Sequence, residues 1–135
     1  MKTTTKILIA VLILSGLMPL AACYFAIFDQ QKIMEMFHLT ASSTPDLEKT
    51  IGIVGAALVM AAIIQFLAAA WIWKRKEEGF ALSHWIGIML ISMGIYMFIF
   101  FRLHAFNDSF YIVDLVKGIL ILTLTIMAKR TTKSA

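Results

Sequence analysis

The sequence predicts an all-α polytopic membrane protein, an antiparallel bundle of four transmembrane helices with both termini in the cytoplasm. Composition is the first reason. Hydrophobic residues make up 61% of the 135-residue chain and charged ones 15%, with a mean hydropathy of +0.88. A soluble fold this small could not cover so much apolar surface, so lipid must do it. The second reason is periodicity. Four helical segments, about 7–28, 45–73, 80–101 and 110–128, each contain close to the ~20 apolar residues that cross a ~30 Å hydrocarbon layer. They lack the alternation of strands, and a barrel needs more and shorter segments. The third reason is where the basic residues fall. Lys2, Lys6, Lys74, Arg75, Lys76, Lys129, Arg130 and Lys133 belong to the N-terminus, the second connection and the C-terminus, whereas only Lys32, Lys49 and Arg102 flank the other side. By the positive-inside rule the first side is cytoplasmic.

The first helix contains the run Leu20-Ala21-Ala22-Cys23, the ending of a bacterial lipoprotein signal. A signal's apolar core runs about 7–15 residues before a polar mature chain. Here Tyr24-Phe25-Ala26-Ile27-Phe28 carries the apolar run on to Asp29, so the segment reads as a retained helix with Cys23 as a small apolar residue. Cleavage before Cys23 is the alternative. Pro19 removes one backbone hydrogen bond and is expected to bend this helix.

Residues 29–44 form the one long connection, facing outward. Ile33, Met36 and Phe37 share a side, as in a short helix lying on the membrane surface. Thr44-Pro45-Asp46-Leu47-Glu48 reads as a helix start: a cap, a proline at the first helical position, and acids at the positive dipole end. The second helix extends to Trp73, with Trp71 and Trp73 in the interfacial belt beside Lys74-Arg75-Lys76. Within it Gln65 is flanked by Ala61, Ala62, Ala68 and Ala69, the setting of an interhelical hydrogen bond at a tight crossing. The short connection 74–79 makes helices two and three antiparallel neighbours.

On the third helix Ser83, Gly87, Ile91, Gly94, Phe98 and Arg102 lie along one stripe, whose glycines permit close approach of another backbone. The short connection 102–109 leads to the fourth helix, with Asn107, Asp108 and Ser109 as caps. There Asn107, Asp114, Gly118, Ile121 and Thr125 align, while Ile112, Leu115, Val116, Ile119 and Ile126 point elsewhere. Asp114 and Lys117, three apart, can pair at about 6 and 10 Å inward of Phe110. A charge at mid-bilayer costs some 2.5–3.5 kcal/mol, so these residues point to a site. With Arg102, His104 and Asp108 they make a candidate outward-facing polar pocket, either an ion-pair network closing that end of the bundle or a ligand-binding site.

Other chemistries find little support. The single cysteine excludes an internal disulfide and a CxxC pair. His38, His84 and His104 are scattered, so neither a bis-histidine haem nor a metal centre is expected, and no cofactor is implied. No serine-based motif or phosphate loop occurs. The net charge of +4 is explained by topology rather than by nucleic acid.

The glycine-bearing run Ile51-Gly52-Ile53-Val54-Gly55, the third helix ending in Phe101-Arg102, and the short polar connection into a fourth helix carrying Asp114 together resemble the DoxX-like group of small four-helix bacterial membrane proteins. Some members of that group accompany quinone-linked oxidoreductases, and the resemblance implies an accessory role with no catalytic residue to carry over. The expectation is a single transmembrane domain of the bacterial cytoplasmic (inner) membrane, non-enzymatic, serving as an accessory or assembly subunit. Its partners would be the bilayer and other membrane subunits or further copies of itself. The alternative is a binder or transporter of a quinone, a lipid or a proton-coupled solute through the outer pocket.

Overall fold

The computed structural model describes residues 1–36, 45–105, 109 and 111–133. The described residues are helical apart from short turns: α1 (Thr3–Phe28), α2 (Gln30–Met36), α3 (Pro45–Trp73), α4 (Glu77–Leu103) and α5 (Tyr111–Lys133). Four of these are long and apolar enough to cross a membrane, over Thr3–Phe28, Lys49–Trp73, Glu77–Leu103 and Tyr111–Lys133. Their outward residues fit lipid rather than water. Leu14, Ile53, Trp85, Tyr96 and Val116 are all more than half exposed, a concentration of bare apolar surface that a soluble monomer does not present. The chain is a multi-pass membrane protein.

Contacts divide the chain into two compact units, Met1–Ile13 with Ile64–Ala135, and Leu14–Ile63. In the first, Leu8, Ile9 and Leu12 of α1 join Ala68, Ala69 and Ile72 of α3, Phe80 and Ile86 of α4, and Ile121 and Ala128 of α5 in one core. Ala68, Ala69 and Ala128 bring small side chains to this core, the usual device where lipid offers no hydrophobic drive for helices to associate.

The α4–α5 seam is the best-defined contact of this unit. Ser83 faces Thr125, Gly87 faces Leu122, Ile91 faces Gly118, Gly94 faces Leu115 and Phe98 faces Tyr111. Numbers rise on one helix as they fall on the other, so the two run antiparallel. The rungs recur every three or four residues, the spacing that keeps one stripe facing its partner along nearly aligned axes.

Between α3 and α4 the turn closes as a Schellman motif: the Lys76 N–H reaches the Trp71 carbonyl and the Arg75 N–H reaches that of Ile72, both at 2.9 Å. The motif needs a left-handed residue, and Arg75 takes that place with φ 59°. Glycine is the ordinary occupant, since a side chain there costs about 1–2 kcal/mol.

In the second unit Ala22 and Ala26 of α1, Ile33 of α2 and Ile51 of α3 form a smaller core, flanked by Phe25, Met34, Leu47 and Leu58. Asp29 caps α2, its Oδ1 accepting the Lys32 N–H at 3.2 Å. The cap aims Ile33 into the core, while Met36 stays exposed; Phe37 and Thr44 lie outside the described residues. Helix α1 runs unbroken through Pro19 and past Cys23, which is buried. Proline has no N–H for the Ser15 carbonyl one turn back.

Candidate functional site

Of the polar residues read from the sequence, Arg102 and His104 stand at the end of α4 and Asp114 and Lys117 in the first two turns of α5. Asp114 and Lys117 lie on the face of α5 that carries buried Gly118, Ile121 and Thr125, and both are half-buried. They are close enough for each to feel the other's charge. Asp114 also sits in the first turn of α5, where the positive end of the helix dipole favours a carboxylate. On the opposite face Ile112, Val116 and Ile119 are exposed, and Val113 is exposed on the flank next to Lys117.

Arg102 and His104 keep to aromatic company on α4. The Arg102 guanidinium lies 5.4 Å from the ring centre of Phe98, one helical turn back, a favourable cation–π arrangement. The His104 ring stacks on Phe100 at 4.2 Å, and its Nδ1–H donates to the Phe100 carbonyl at 2.9 Å. Tyr96 continues the stack from Phe100 at 6.2 Å. Phe98 and Phe101 meet Tyr111 of α5 edge-on at 5.3 and 6.1 Å. The structure thus brings Asp114 and Lys117 together and sets Arg102 and His104 in a collar of aromatic rings. Such collars suit the interface between hydrocarbon and water. Asp108 lies outside the described residues.

The packing residues read from the sequence sit along the helices. Gly87 and Gly94 both lie against α5, where an added Cβ would come within 2.9 Å of Leu122 and 2.6 Å of Leu115. Gln65 is buried on α3 at 3% exposure, one turn before Ala68 and Ala69 of the first unit's core. Among the described residues no three His, Cys, Asp or Glu side chains are grouped as metal ligands.

A second feature lies where α3 ends and α4 begins. A cavity of about 370 Å³ is lined by Lys2 and Thr5, Ile72 and Arg75, Glu77 and Phe80, with Lys129, Thr132 and Lys133 from the last turns of α5. Lys2 Nζ donates to the Thr131 carbonyl, tying the start of α1 to the end of α5. Sequence reasoning treated these cations as topology signals and missed their convergence. Their clustering in three segments was visible, but a shared cavity depends on how the helices cross.

Compared with protein-family models, curated proteins and solved structures, the chain matches none.

Proposed function

We propose that this chain is a non-enzymatic protein of the bacterial inner membrane that serves as an accessory or assembly subunit of a larger membrane complex. Both termini face the cytoplasm in this reading. The convergence of Lys2, Arg75, Lys129 and Lys133 on one cavity supports that orientation, because it gathers the basic segments at one end of the first unit. The DoxX-like resemblance belongs to the same proposal.

The observation that carries the accessory role is the half-burial of Asp114 and Lys117. Charged side chains at membrane depth normally face a bundle interior, a water-filled cavity or one another. Among the described residues the pair is covered only in part, which leaves each side chain an accessible side. A helix from a partner subunit, laid against that side, would complete the enclosure and turn an insertion cost into a specific contact. The same pair supports the second reading, in which a quinone, lipid or proton-coupled solute occupies that side.

Photocrosslinking separates them. A photoreactive residue at Val113, exposed on the flank of α5 next to Lys117, should trap one heterologous membrane protein in stoichiometric yield. Asp114→Ala should abolish that adduct. Adducts only between copies of this chain, with a small molecule retained on purification, would favour the binder or transporter.

A further inference from the structure

We infer that the cavity at the junction of α3 and α4 binds a phosphate-bearing anion, and that its source is the headgroup of an anionic phospholipid. Four cationic side chains, Lys2, Arg75, Lys129 and Lys133, surround it against a single carboxylate, Glu77. Such an excess of one sign around a concave surface focuses the field on whatever counter-charge enters. At about 370 Å³ the space falls within the ~300–1,000 Å³ of small-molecule sites, and it is roomier than a lone anion needs.

Its chemistry is graded in the way a lipid is. The cations stand exposed at the mouth, while Ile72 and Phe80 are buried in the apolar floor. The Thr5 hydroxyl, buried beside the floor, offers a donor to a phosphate oxygen, whereas the proton of exposed Thr132 is donated to the Ala128 carbonyl at 2.8 Å. Helix ends of a membrane-spanning chain form the walls, so the cavity opens at headgroup depth. Basic pockets between transmembrane helices recognise anionic headgroups by this combination.

The turn that ends α3 fixes Arg75 at the cavity. Its left-handed backbone, φ 59°, is shared by Ala105 at the end of α4 with φ 54°, so the conformation belongs to the helix ending. What sets Arg75 apart is that its cationic side chain lines the cavity. The inference needs the membrane-spanning fold but not the accessory-subunit reading, which rests on the other end of α4.

The test uses the full chain in a neutral maltoside detergent. Thermal unfolding is followed with added phosphatidylglycerol, phosphatidylcholine or inorganic phosphate, and native mass spectrometry counts lipid retained per chain. Phosphatidylglycerol should raise the melting temperature and be retained at one molecule per chain, with phosphatidylcholine inactive. In Arg75→Gly with Lys133→Ala the apparent affinity should fall about thirtyfold, from the roughly fivefold that each basic residue supplies near an anionic surface. That variant should fold, since it places glycine at the left-handed position. Lys74→Ala with Lys76→Ala removes the same charge outside the cavity and should lower affinity far less, because its charges act only through the general surface field. Stabilisation by inorganic phosphate alone, lost in the Arg75/Lys133 variant, would support the phosphate site and shift its source to a free anion. Equal stabilisation by phosphatidylcholine, an unchanged Arg75/Lys133 variant, or an equal loss in the Lys74/Lys76 variant would each overturn the assignment.

Discussion

Gly118 of α5 rests on the backbone of Gly87 of α4: a Cβ built at 118 would lie 2.9 Å from the Gly87 carbonyl oxygen and 2.8 Å from the Ile91 nitrogen. Both neighbours are backbone atoms of a helix, so they cannot swing aside as a side-chain tip could. Gly118→Ala should therefore separate the two helices and cost about 1–3 kcal/mol, as overpacking does. Gly52 is the control, because nothing lies within 4 Å of a Cβ added there. Gly52→Ala should be neutral or stabilising by up to about 1 kcal/mol through helix propensity alone. Thermal unfolding of the two variants in detergent checks the contrast, and equal effects would refute the close crossing.

The Ser83–Thr125 contact has a direction. The Thr125 hydroxyl has one proton, which it donates to the Ile121 carbonyl at 2.7 Å. The 2.7 Å contact between the hydroxyls must then be donated by Ser83. Ser83→Ala should cost about 0.6 kcal/mol, the typical worth of an interhelical hydrogen bond in a membrane. Thr125→Val leaves the Ser83 proton without its acceptor, and the double variant should recover part of that loss. A double-mutant cycle of unfolding free energies with no coupling would deny the bond.

Asp114 and Lys117 should behave as coupled neighbours. Asp114→Ala strands a half-buried cation and should lower stability. Adding Lys117→Ala should restore part of it, with a coupling of about 0.5–3 kcal/mol. If the pair serves a ligand, Asp114→Asn should instead leave the melting temperature nearly unchanged and abolish binding. Strictly additive losses would show that the two charges act separately.

The proposed orientation has a direct readout. A reporter active only in the cytoplasm, fused after Ala135, should give signal, and one active only in the periplasm should give none. The reverse pattern would overturn the topology.

Much of the α4–α5 seam was legible beforehand. Ser83, Gly87, Ile91 and Gly94 form a stripe by spacing alone, as do Gly118, Ile121 and Thr125, because small residues three or four apart mark a helix face built for close packing. Which residue meets which was not legible, since register depends on the path of the connection between the helices. Arg102 shows a different limit. Its position on the stripe directs it toward Asp114, yet Phe98 stands one turn back on the same helix, and the guanidinium lies over that ring. His104 and Phe100 repeat the pattern at the same spacing. Aromatic neighbours four residues back compete for long polar side chains at a helix end, and helical-face reasoning gave them no weight. The left-handed Arg75 was invisible for another reason: no local preference favours arginine there, so only the traced backbone reveals it.

The ladder between α4 and α5 also determines how this chain can change length. Each rung depends on a residue of α4 meeting a fixed counterpart on α5. One extra residue between Gly87 and Gly94 would turn everything beyond it by about 100°. The glycine at 94 would leave the seam, and a bulky neighbour would be driven into Leu115. Among the described residues the rungs run from Ser83 to Phe98 and from Tyr111 to Thr125, outside the connection between Leu103 and Tyr111. Related chains should therefore differ by insertions and deletions in that connection while holding the spacing from Ser83 to Phe98 and from Tyr111 to Thr125 constant. An artificial insertion series would read out the same rule as a reading frame written in three dimensions.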